Sequence, residues 1–403
     1  MADPAIIVVG GGLTGAATAL ALAEADWQVT LVESGSRPQT VAPDQAPLIR
    51  VSTLNPAVRN MMERLGAWQL LPEARVGKVD QMRVWERSGS ELVFSAEDAG
   101  LPRLGNVVEN ETLRAALWQR LTEFPNVDLR TGVAVRRVDD GDRRLRVTLE
   151  NGDRFHCALL LAADGARSPI RESAGIECST WDYGQNGLVM TVETGSSHEN
   201  TAWQRFLPDG PLAFLPLPGN RCSIVWSLPT AEAEDGLDQS AEELQEALKT
   251  AFEGRLGDVR IVSERGAFPL LRRSAERFVS GRVVLLGDAA HTVHPLAGQG
   301  ANLGLLDAAA LAEVLERGRQ RGLQPDHPTP LRQFERWRRS DVEIMAESLH
   351  QLWFLYRWRV PPFPAARQFG TRLINRNRWL RRRLIDHASG FGGRVPRLAQ
   401  PQV

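Results

Sequence analysis

Residues 282–304 read RVVLLGDAAHTVHPLAGQGANLG, and this stretch decides the fold class. The apolar run Val283 to Leu286 has the composition of a buried strand. The run ends at Gly287-Asp288, a loop with one proline and two glycines follows, and the pattern then becomes helical. Ligands of open parallel sheets bind beyond the carboxyl ends of the strands. The stretch therefore predicts a ligand-binding edge at which a carboxylate and a glycine-rich helix start meet.

A second glycine-rich turn follows the predicted buried strand Ile6 to Val9, near the N-terminus. It has the pattern GxGxxG, with glycines at Gly10, Gly12 and Gly15, and a helix rich in small residues follows it. In this pattern the first glycine allows a tight turn, and the second lets a pyrophosphate approach the backbone. The third glycine lets the helix lie close to the sheet. The turn therefore predicts a dinucleotide site at the positive end of the helix; the alternative is a glycine-rich turn without a ligand.

Three further side chains extend this predicted site. Glu33 ends a predicted strand eighteen residues after Gly15, where it can accept hydrogen bonds from ribose hydroxyls. An acid at this position permits FAD or NAD and disfavours NADP. Asp164-Gly165 ends the apolar run that begins at Leu159, as Asp288 ends its own run. Such an aspartate is often only a helix cap, but both together after a GxGxxG pattern favour a cofactor role. Arg50 is either a surface charge or a ligand of phosphate or ribityl oxygens.

The order of the elements predicts a discontinuous domain. A β-rich region from Leu188 to Leu228 interrupts the parallel strands and predicts an inserted antiparallel sheet. Single strands are expected at 128–135 and 145–149, and a helix is expected at 331–359. The predicted divisions are a cofactor domain of residues 1–75, 104–178 and 266–330, a β-rich substrate domain of residues 76–103 and 179–265, and a helical C-terminal region of residues 331–403.

The bulk composition is that of an ordinary globular protein. The chain has 403 residues, a net charge of -1 and 43% hydrophobic residues. Residues 331–403 carry fifteen arginines and five acidic residues, so the C-terminal region is strongly basic. The three cysteines, without a CxxC pair, favour reduced thiols. No signal peptide or spanning helix is expected, because glycines interrupt the first apolar stretch. We expect a cytoplasmic location at the periphery of the inner membrane.

These motifs, in this order and spacing, resemble the class A flavoprotein aromatic hydroxylases, and most of all the ubiquinone-biosynthesis hydroxylases. The subfamily likeness rests on the GDAAHT segment at 287–292, on 208–217 (PDGPLAFLPL) and on 107–110 (VVEN). It covers about the first 345 residues. The resemblance implies an α/β fold like that of para-hydroxybenzoate hydroxylase, with a Rossmann-like FAD-binding domain, an inserted antiparallel-sheet substrate domain and a helical C-terminal segment.

The resemblance also implies which residues bind FAD. Asp288 is expected at the ribityl chain, and the loop from Pro295 is expected against the isoalloxazine ring. Asn110 stands where some relatives have Arg or Gln, and its shorter side chain leaves that contact open. The expected cofactor-binding residues are Gly10, Gly12, Gly15, Glu33, Arg50, Asn110, Asp164, Gly165, Asp288, Pro295, Gly298, Gly300 and Asn302.

By the same resemblance, reduced FAD would react with dioxygen to give a C4a-hydroperoxide that hydroxylates an electron-rich ring. The expected substrate is a polyprenylated phenol or quinol, by overall likeness at a late, demethoxyubiquinol-type step. The electrons would come from NAD(P)H or a protein reductant, because a second dinucleotide unit is missing. No metal is expected, and no catalytic side chain is assigned. An apolar substrate wall is expected at Phe206, Phe214, Leu215 and Pro216; the alternative for these residues is ordinary sheet core.

Several alternatives stay open at this point. Other expectations are hydroxylation of a small phenol, a different flavoenzyme class, or a non-catalytic flavin- or lipid-binding subunit of a quinone-biosynthesis complex. The WxWxIP motif of flavin-dependent halogenases is missing from the sequence. His291 and His294 are acid–base groups, metal ligands, or packing and capping residues, and we favour the last of these. The Trp-containing basic C-terminal region predicts contact with a membrane surface or with other quinone-biosynthesis proteins; the alternative is a solvated helical cap. Nothing indicates nucleic acid.

Overall fold

The computed structural model describes residues 5–42, 44–86, 91–294, 296, 298–358 and 363–401. The strands are β1 Ile6–Val9, β2 Val29–Glu33, β3 Val51–Leu54, β4 Val76–Val79, β5 Gln81–Trp85, β6 Glu91–Ser95, β7 Gly105–Glu109, β8 Val127–Thr131, β9 Val135–Asp140, β10 Leu145–Leu149, β11 Arg154–Cys157, β12 Leu159–Ala162, β13 Cys178–Thr194, β14 Thr201–Leu207, β15 Gly210–Leu217, β16 Arg221–Pro229, β17 Val259–Ile261, β18 Gly266–Ala275, β19 Val279–Ser280, β20 Val283–Leu285 and β21 His291–Thr292.

The helices occupy the segments between these strands and most of the C-terminal region. They are α1 Leu13–Glu24, α2 Pro56–Arg64, α3 Ala96–Ala99, α4 Asn110–Leu121, α5 Pro169–Ser173, α6 Thr230–Asp238, α7 Ala241–Ala251, α8 Gln299–Arg319, α9 Pro328–Arg357, α10 Phe363–Arg376 and α11 Arg378–Ala388.

A six-stranded sheet forms the centre of the molecule, in the order β19-β20-β12-β1-β2-β8. All its pairs are parallel except the edge pair β19–β20. Strands β1 and β12 are buried along their whole length, which explains their continuous apolar sequences. Because β20 pairs in parallel with β12, the chain returns to this sheet after the β-rich region. The expected α/β class with a parallel sheet is confirmed.

One expected strand is in fact two strands in different sheets. The sequence predicted a single strand over 128–135, but β8 ends at Thr131 and β9 begins at Val135. Gly132 lies between them with φ +69°, a left-handed conformation that glycine adopts without strain. The turn redirects the chain from the central sheet into a separate antiparallel sheet, β11-β10-β9.

The β-rich region forms a nine-stranded sheet with the path β21-β18-β13-β16-β15-β14-β5-β6, to which β17 adds beside β13. The hairpin β5–β6 joins through a parallel pair, β5 with β14, so the sheet is not purely antiparallel. Strand β18 belongs to this sheet, although the predicted division placed residue 266 in the cofactor domain. One face packs against α6 and α7 around a core that includes Leu188, Phe214 and Phe252.

A three-stranded sheet, β3-β7-β4, lies next to these two sheets. The C-terminal region is helical, as the sequence predicted, and α9 begins at Pro328 with His327 as its N-cap. Leu331, Phe334 and Trp337 anchor α9 in the main core. Helices α10 and α11 follow, and few of their side chains are buried.

Candidate functional site

The turn between β1 and α1 is built from close backbone contacts. A Cβ on Gly15 would lie 1.8 Å from the carbonyl oxygen of Gly10, and a Cβ on Gly10 would lie 2.3 Å from that of Ala163. Only glycine fits at either position. A Cβ on Gly12, by contrast, would meet no atom within 4 Å. Helix α1 has no side-chain cap at this end, so its first N–H groups face open space in which an anion can bind.

Glu33 is fastened to this turn at the end of β2. One carboxylate oxygen accepts a hydrogen bond from the Gly11 N–H at 2.5 Å, and the other accepts from the Gly35 N–H at 2.7 Å. The Arg114 guanidinium and the Trp118 indole both donate to the Gly11 carbonyl, at 2.8 and 2.9 Å. Each carboxylate oxygen keeps a lone pair for a hydroxyl donor. The sequence missed Arg114 and Trp118, which lie on α4, far from the motif in the chain.

Asp164 lies at the end of β12, beside the Gly10 turn. One of its oxygens accepts from the Ile170 N–H at 3.3 Å. The other is buried and has no hydrogen-bond partner among the residues that the structure describes. Burial raises the pKa of this carboxyl, although the Ser168 hydroxyl opposes the shift. Gly165 follows with φ +88° and open space around it. An unpaired buried acceptor beside the Gly10 turn fits a dinucleotide that supplies a donor.

Asp288 follows β20 at the neighbouring strand end. A Cβ on Gly287 would lie 2.7 Å from the Thr14 Oγ1 atom, and one on Gly304 would lie 2.4 Å from it. These contacts bring the Asp288 turn, α1 and α8 together. The Asp288 side chain is open to solvent, yet the protein around it displaces water and raises the pKa of its carboxyl.

Positive side chains moderate this shift. His291, Arg50 and Arg273 act to lower the pKa of the Asp288 carboxyl. Arg50 itself is exposed, and its guanidinium lies 5.1 Å from the centre of the Phe268 ring. The cleft at the edge of the central sheet thus combines three carboxylates, those of Glu33, Asp164 and Asp288, with the N-terminus of α1 and a long basic side chain. This set of groups suits a ligand that has both phosphates and hydroxyls.

The segment 298–302 forms the start of α8. Gly298 is the N-cap of α8 with φ +61°, and Gly300 has open space around it. Asn302 was expected to bind the cofactor, but its side-chain amide contacts protein atoms. Its Nδ2 donates to Thr53 O at 2.8 Å and to Gly298 O at 3.1 Å. Its Oδ1 accepts from the Asn55 N–H at 2.9 Å. Asn302 therefore positions the segment rather than offering a free amide. Pro295 lies outside the described residues.

Asn110 also makes contacts within the protein. Its Oδ1 accepts a hydrogen bond from the Ser52 hydroxyl at 2.7 Å, and its backbone N–H donates to Arg50 O at 2.9 Å. These bonds tie the start of α4 to the segment that carries Arg50. Asn110 lies next to the cleft, so its contact with a cofactor stays a prediction.

His291 belongs to a buried ionic network. Its Nε2 lies 2.6 Å from the Asp307 carboxylate, which also accepts from the Gly287 N–H at 3.0 Å and from Arg338 Nε at 2.7 Å. Burial raises the pKa of Asp307, but the charges of His291 and Arg338 outweigh it and hold that pKa below its usual value. The geometry favours the packing interpretation of His291. The sequence signal that was missed is a lone aspartate in the apolar stretch of α8.

His294 is a buried neutral imidazole. Its Nδ1 accepts from the Leu296 N–H at 3.2 Å, and its ring meets the Tyr183 ring edge-on with centroids 4.6 Å apart. Burial lowers the pKa of His294 to about 3, with a smaller contribution from His350. His294 Nε2 has no hydrogen-bond partner in the described part of the chain. This arrangement also favours packing over acid–base chemistry at neutral pH.

An apolar cavity of about 230 Å³ lies between the nine-stranded sheet, α11 and the residues Leu296, Gly298 and Gln299. Of the four expected wall residues, only Leu215 lines it. Side chains alternate along β15, so Phe214 points to the other face and stacks on Phe252 at 3.9 Å. The lining residues are Val51, Thr53, Asn55, Val79, Met82, Phe94, Leu104, Ala202, Gln204, Pro211, Ala213, Leu215, Val225, Ser227, Leu296, Gly298, Gln299, Leu384, Ile385, Ala388 and Ser389.

The other two expected wall residues also lie elsewhere. Phe206 stacks on Tyr356 of α9, with ring centroids 3.6 Å apart, and borders a smaller pocket beside Trp353. Pro216 is buried, and its carbonyl group comes close to Gly77 of β4. The sequence indicated the correct strands but not which of their residues meet the cavity.

Comparisons with known proteins agree with this geometry. Residues 3–323 match the family model of the FAD binding domain. The chain is 35% identical to the 3-demethoxyubiquinol 3-hydroxylase of Escherichia coli over 96% of this chain and 98% of that protein. It is 36% identical to the ubiquinone hydroxylase UbiL of Rhodospirillum rubrum, over 98% and 92%. The ubiquinone biosynthesis monooxygenase COQ6 of Drosophila melanogaster is 33% identical, over 91% and 86%.

Solved structures share the fold at lower identity. The p-nitrophenol 4-monooxygenase PnpA of Pseudomonas putida superposes with a TM-score of 0.79 at 21% identity, over 97% of this chain and 99% of that chain. The FAD complex of Klebsiella pneumoniae HpxO (R204Q) has a TM-score of 0.74 at 20% identity, over 95% and 98%. At such identities the likeness establishes the fold alone.

Proposed function

The chain belongs to the FAD-binding domain family and, within it, to the ubiquinone-biosynthesis hydroxylases, and we propose that it hydroxylates the aromatic ring of a polyprenylated ubiquinone precursor. It is an FAD-dependent monooxygenase. The observation that carries the substrate class is the apolar cavity beside the Gly298 segment, next to the cleft of Asp288 and Gly12. The 3-demethoxyubiquinol name of the Escherichia coli relative supports the late ring position.

The residues at the edge of the central sheet would hold FAD. The open space at Gly12 would receive the pyrophosphate, and the free lone pairs of Glu33 would receive ribose hydroxyls. The unpaired oxygen of Asp164 and the carboxyl of Asp288 would accept hydrogen bonds from the remaining hydroxyls. FAD, once bound and reduced, supplies the activation of dioxygen. The start of α8 at Gly298 favours negative charge nearby.

The cavity would exclude water from the reacting ring. Its walls are mainly aliphatic side chains such as Val79, Leu104 and Leu215, which favour an aromatic ring and a prenyl chain over water. Leu384, Ile385 and Ala388 of α11 form one side of it. This side gives a long apolar chain a route toward the C-terminal helices. The electron donor, NAD(P)H or a protein, stays a prediction, as does the cytoplasmic location.

We further propose that the protein binds an anionic membrane surface through the C-terminal face, defined as α10 and α11. Residues 363–388 contain seven arginines and one acidic residue, Asp386. Two of the arginines are paired inward, Arg367 with Glu86 and Arg381 with Asp98. The exposed arginines are Arg372, Arg376, Arg378, Arg382 and Arg383.

Large apolar side chains are exposed among these arginines. Phe369 is 69% exposed and Trp379 is 65% exposed, with Leu373 and Leu384 partly exposed beside them. Aromatic rings with arginines suit the headgroup layer of an anionic bilayer. Leu384 also lines the cavity, so a membrane on this face would meet the route of the prenyl chain. Among the helices of the described ranges, none is long and apolar enough to cross a bilayer.

Vesicle binding tests the C-terminal face. Phosphatidylcholine vesicles with phosphatidylserine should bind the wild-type protein, and Phe369→Ala with Trp379→Ala should reduce binding by about tenfold or more. Trp181→Ala removes another exposed tryptophan, 54% exposed on β13, and should leave binding unchanged. Equal binding by the double variant and the wild type would reject the membrane contact and favour a protein partner.

A deletion of the gene in its host tests the function itself. The quinone pool of the deletion strain, analysed by mass spectrometry, should contain a prenylated precursor that lacks one ring hydroxyl. The structure of the precursor would name the ring position. An unchanged quinone pool would reject the ubiquinone role and favour a small phenol as substrate.

A further inference from the structure

Gln204 is a polar residue on the wall of an otherwise largely aliphatic cavity. It lies on β14 between Ala202 and Phe206, whose side chains point to the same face of the sheet. Gln204 lines the cavity and is 5% exposed. The structure gives its side-chain amide no hydrogen-bond partner within the ranges that it describes. The polar atoms of this amide therefore face the cavity, where a bound ligand can pair with them.

Ser227 offers a second polar group in the same cavity. Gln204 pairs with Ala213 of β15, and Ala213 pairs with Val225 of β16. Ser227 lies two residues beyond Val225, on the same face. It is 2% exposed, and its hydroxyl likewise has no hydrogen-bond partner in the described part of the molecule. Ala213 and Val225 thus separate two unpaired polar groups.

Two unpaired polar groups with apolar side chains between them suit an aromatic ring that carries oxygens on opposite sides. We propose that Gln204 is a positioning residue that hydrogen-bonds a ring oxygen of the substrate, and that Ser227 binds an oxygen across the ring. The amide carbonyl can accept a hydrogen bond from a ring hydroxyl, and a methoxy group has no proton to donate in its place. The apolar residues between the two groups would contact the ring face. With both oxygens fixed, one ring carbon is presented to the segment at Gly298.

The proposal rests on the proposed function. It identifies the contacts that determine which ring position is hydroxylated. A cavity with apolar walls alone would allow the ring to rotate, because hydrophobic contacts have no direction. Loss of the Gln204 contact should therefore weaken binding of oxygenated rings and loosen the coupling between reductant use and hydroxylation. It should not reduce the stability of the fold.

The test uses the FAD-loaded protein and two soluble probes, a short-chain methoxylated hydroquinone and its dimethyl ether. Binding is measured without oxygen, from the change in flavin absorbance. The wild type should bind the hydroquinone about tenfold more tightly than the ether. Gln204→Leu should bring this ratio close to one and leave the melting temperature equal or higher. Gln204→Asn, with a shorter amide, should give an intermediate ratio.

Ser223→Ala is the matched control. The Ser223 hydroxyl is also buried and unpaired in the described part of the chain, on the same strand as Ser227, but it does not line the cavity. This variant should keep the tenfold ratio. If Gln204→Leu kept the tenfold ratio of the wild type, the proposal would be overturned. Hydroxylation of a probe by the wild type would still support the proposed function in that case. Failure of the wild type to hydroxylate either probe or a prenylated ring would instead reject the proposed function.

Discussion

The cleft proposed for FAD and the cavity proposed for the substrate lie side by side, but different parts of the chain build them. Backbone atoms shape the cleft, where Gly10 and Gly15 allow contacts that no side chain could share. Alternating side chains of β14, β15 and β16 shape the cavity. A close backbone contact demands glycine at a fixed spacing, whereas a cavity wall only demands the correct face of a strand. The cleft should therefore tolerate almost no substitution, and the cavity should tolerate many.

The largest effect is expected behind the cleft, at Asp307. Asp307→Asn leaves the Arg338 guanidinium, which is 1% exposed, without its buried counter-charge. Removing one partner of a buried ion pair typically costs about 3–5 kcal/mol. Because Asp341 still pairs with Arg338, urea denaturation should show a loss at the lower end of this range. Asp326→Asn, which removes a partly exposed partner of Arg282, should cost less than about 1 kcal/mol.

The same substitution should change the response to acid. The pKa of Asp307 is lowered in the folded protein, so its stabilising contribution is complete above the unfolded value near 3.9 and is lost as the pH falls through the folded value. The wild type should therefore lose stability below about pH 4, and Asp307→Asn should be flatter there. An equally steep loss in the variant would contradict the ionic role of Asp307.

The second-largest effect is expected in the turn between β1 and α1. There Gly15 is needed for packing, whereas Gly12 is expected to contact the cofactor. Gly15→Ala places a Cβ 1.8 Å from a carbonyl oxygen and should destabilise the protein by about 3 kcal/mol. Gly12→Ala places its Cβ in open space, so the apoprotein should keep its melting temperature but lose FAD. Measuring the flavin content and the melting temperature of both variants tests whether Gly15 affects stability and Gly12 affects FAD binding. Full flavin content in Gly12→Ala would remove the pyrophosphate from this position.

The smallest of these effects is expected at His294, between the cleft and the cavity. Burial holds the pKa of His294 at about 3, while the unfolded value is about 6.5. The unfolded chain therefore takes up a proton between these values, and stability falls as the pH drops from 6.5. The loss should reach roughly 2 kcal/mol by pH 5. His294→Gln should reduce the loss of unfolding free energy between pH 6.5 and pH 5. An unchanged loss in this variant would assign the pH dependence to other groups.

The cleft and the cavity also differ in how far the sequence could predict them. The turn at Gly10, the strand-end acids Asp164 and Asp288 and the parallel sheet follow from spacing and local composition. Phe214 was expected in the substrate wall, but its direction depends on the strand register, which a single sequence does not define. Arg338 and Asp307 are 31 residues apart in the chain, and no local pattern links them. Asn302 lay in the correct motif, but only the packed structure shows that its amide binds protein atoms.

The most direct measurement is oxygen transfer by the purified protein. We expect a yellow protein that contains FAD. With a reductant, a short-chain demethoxyubiquinol and ¹⁸O₂, it should add one ¹⁸O atom to the ring, as mass spectrometry would show. A colourless protein that cannot be reconstituted with FAD, or a product without ¹⁸O, would contradict the account.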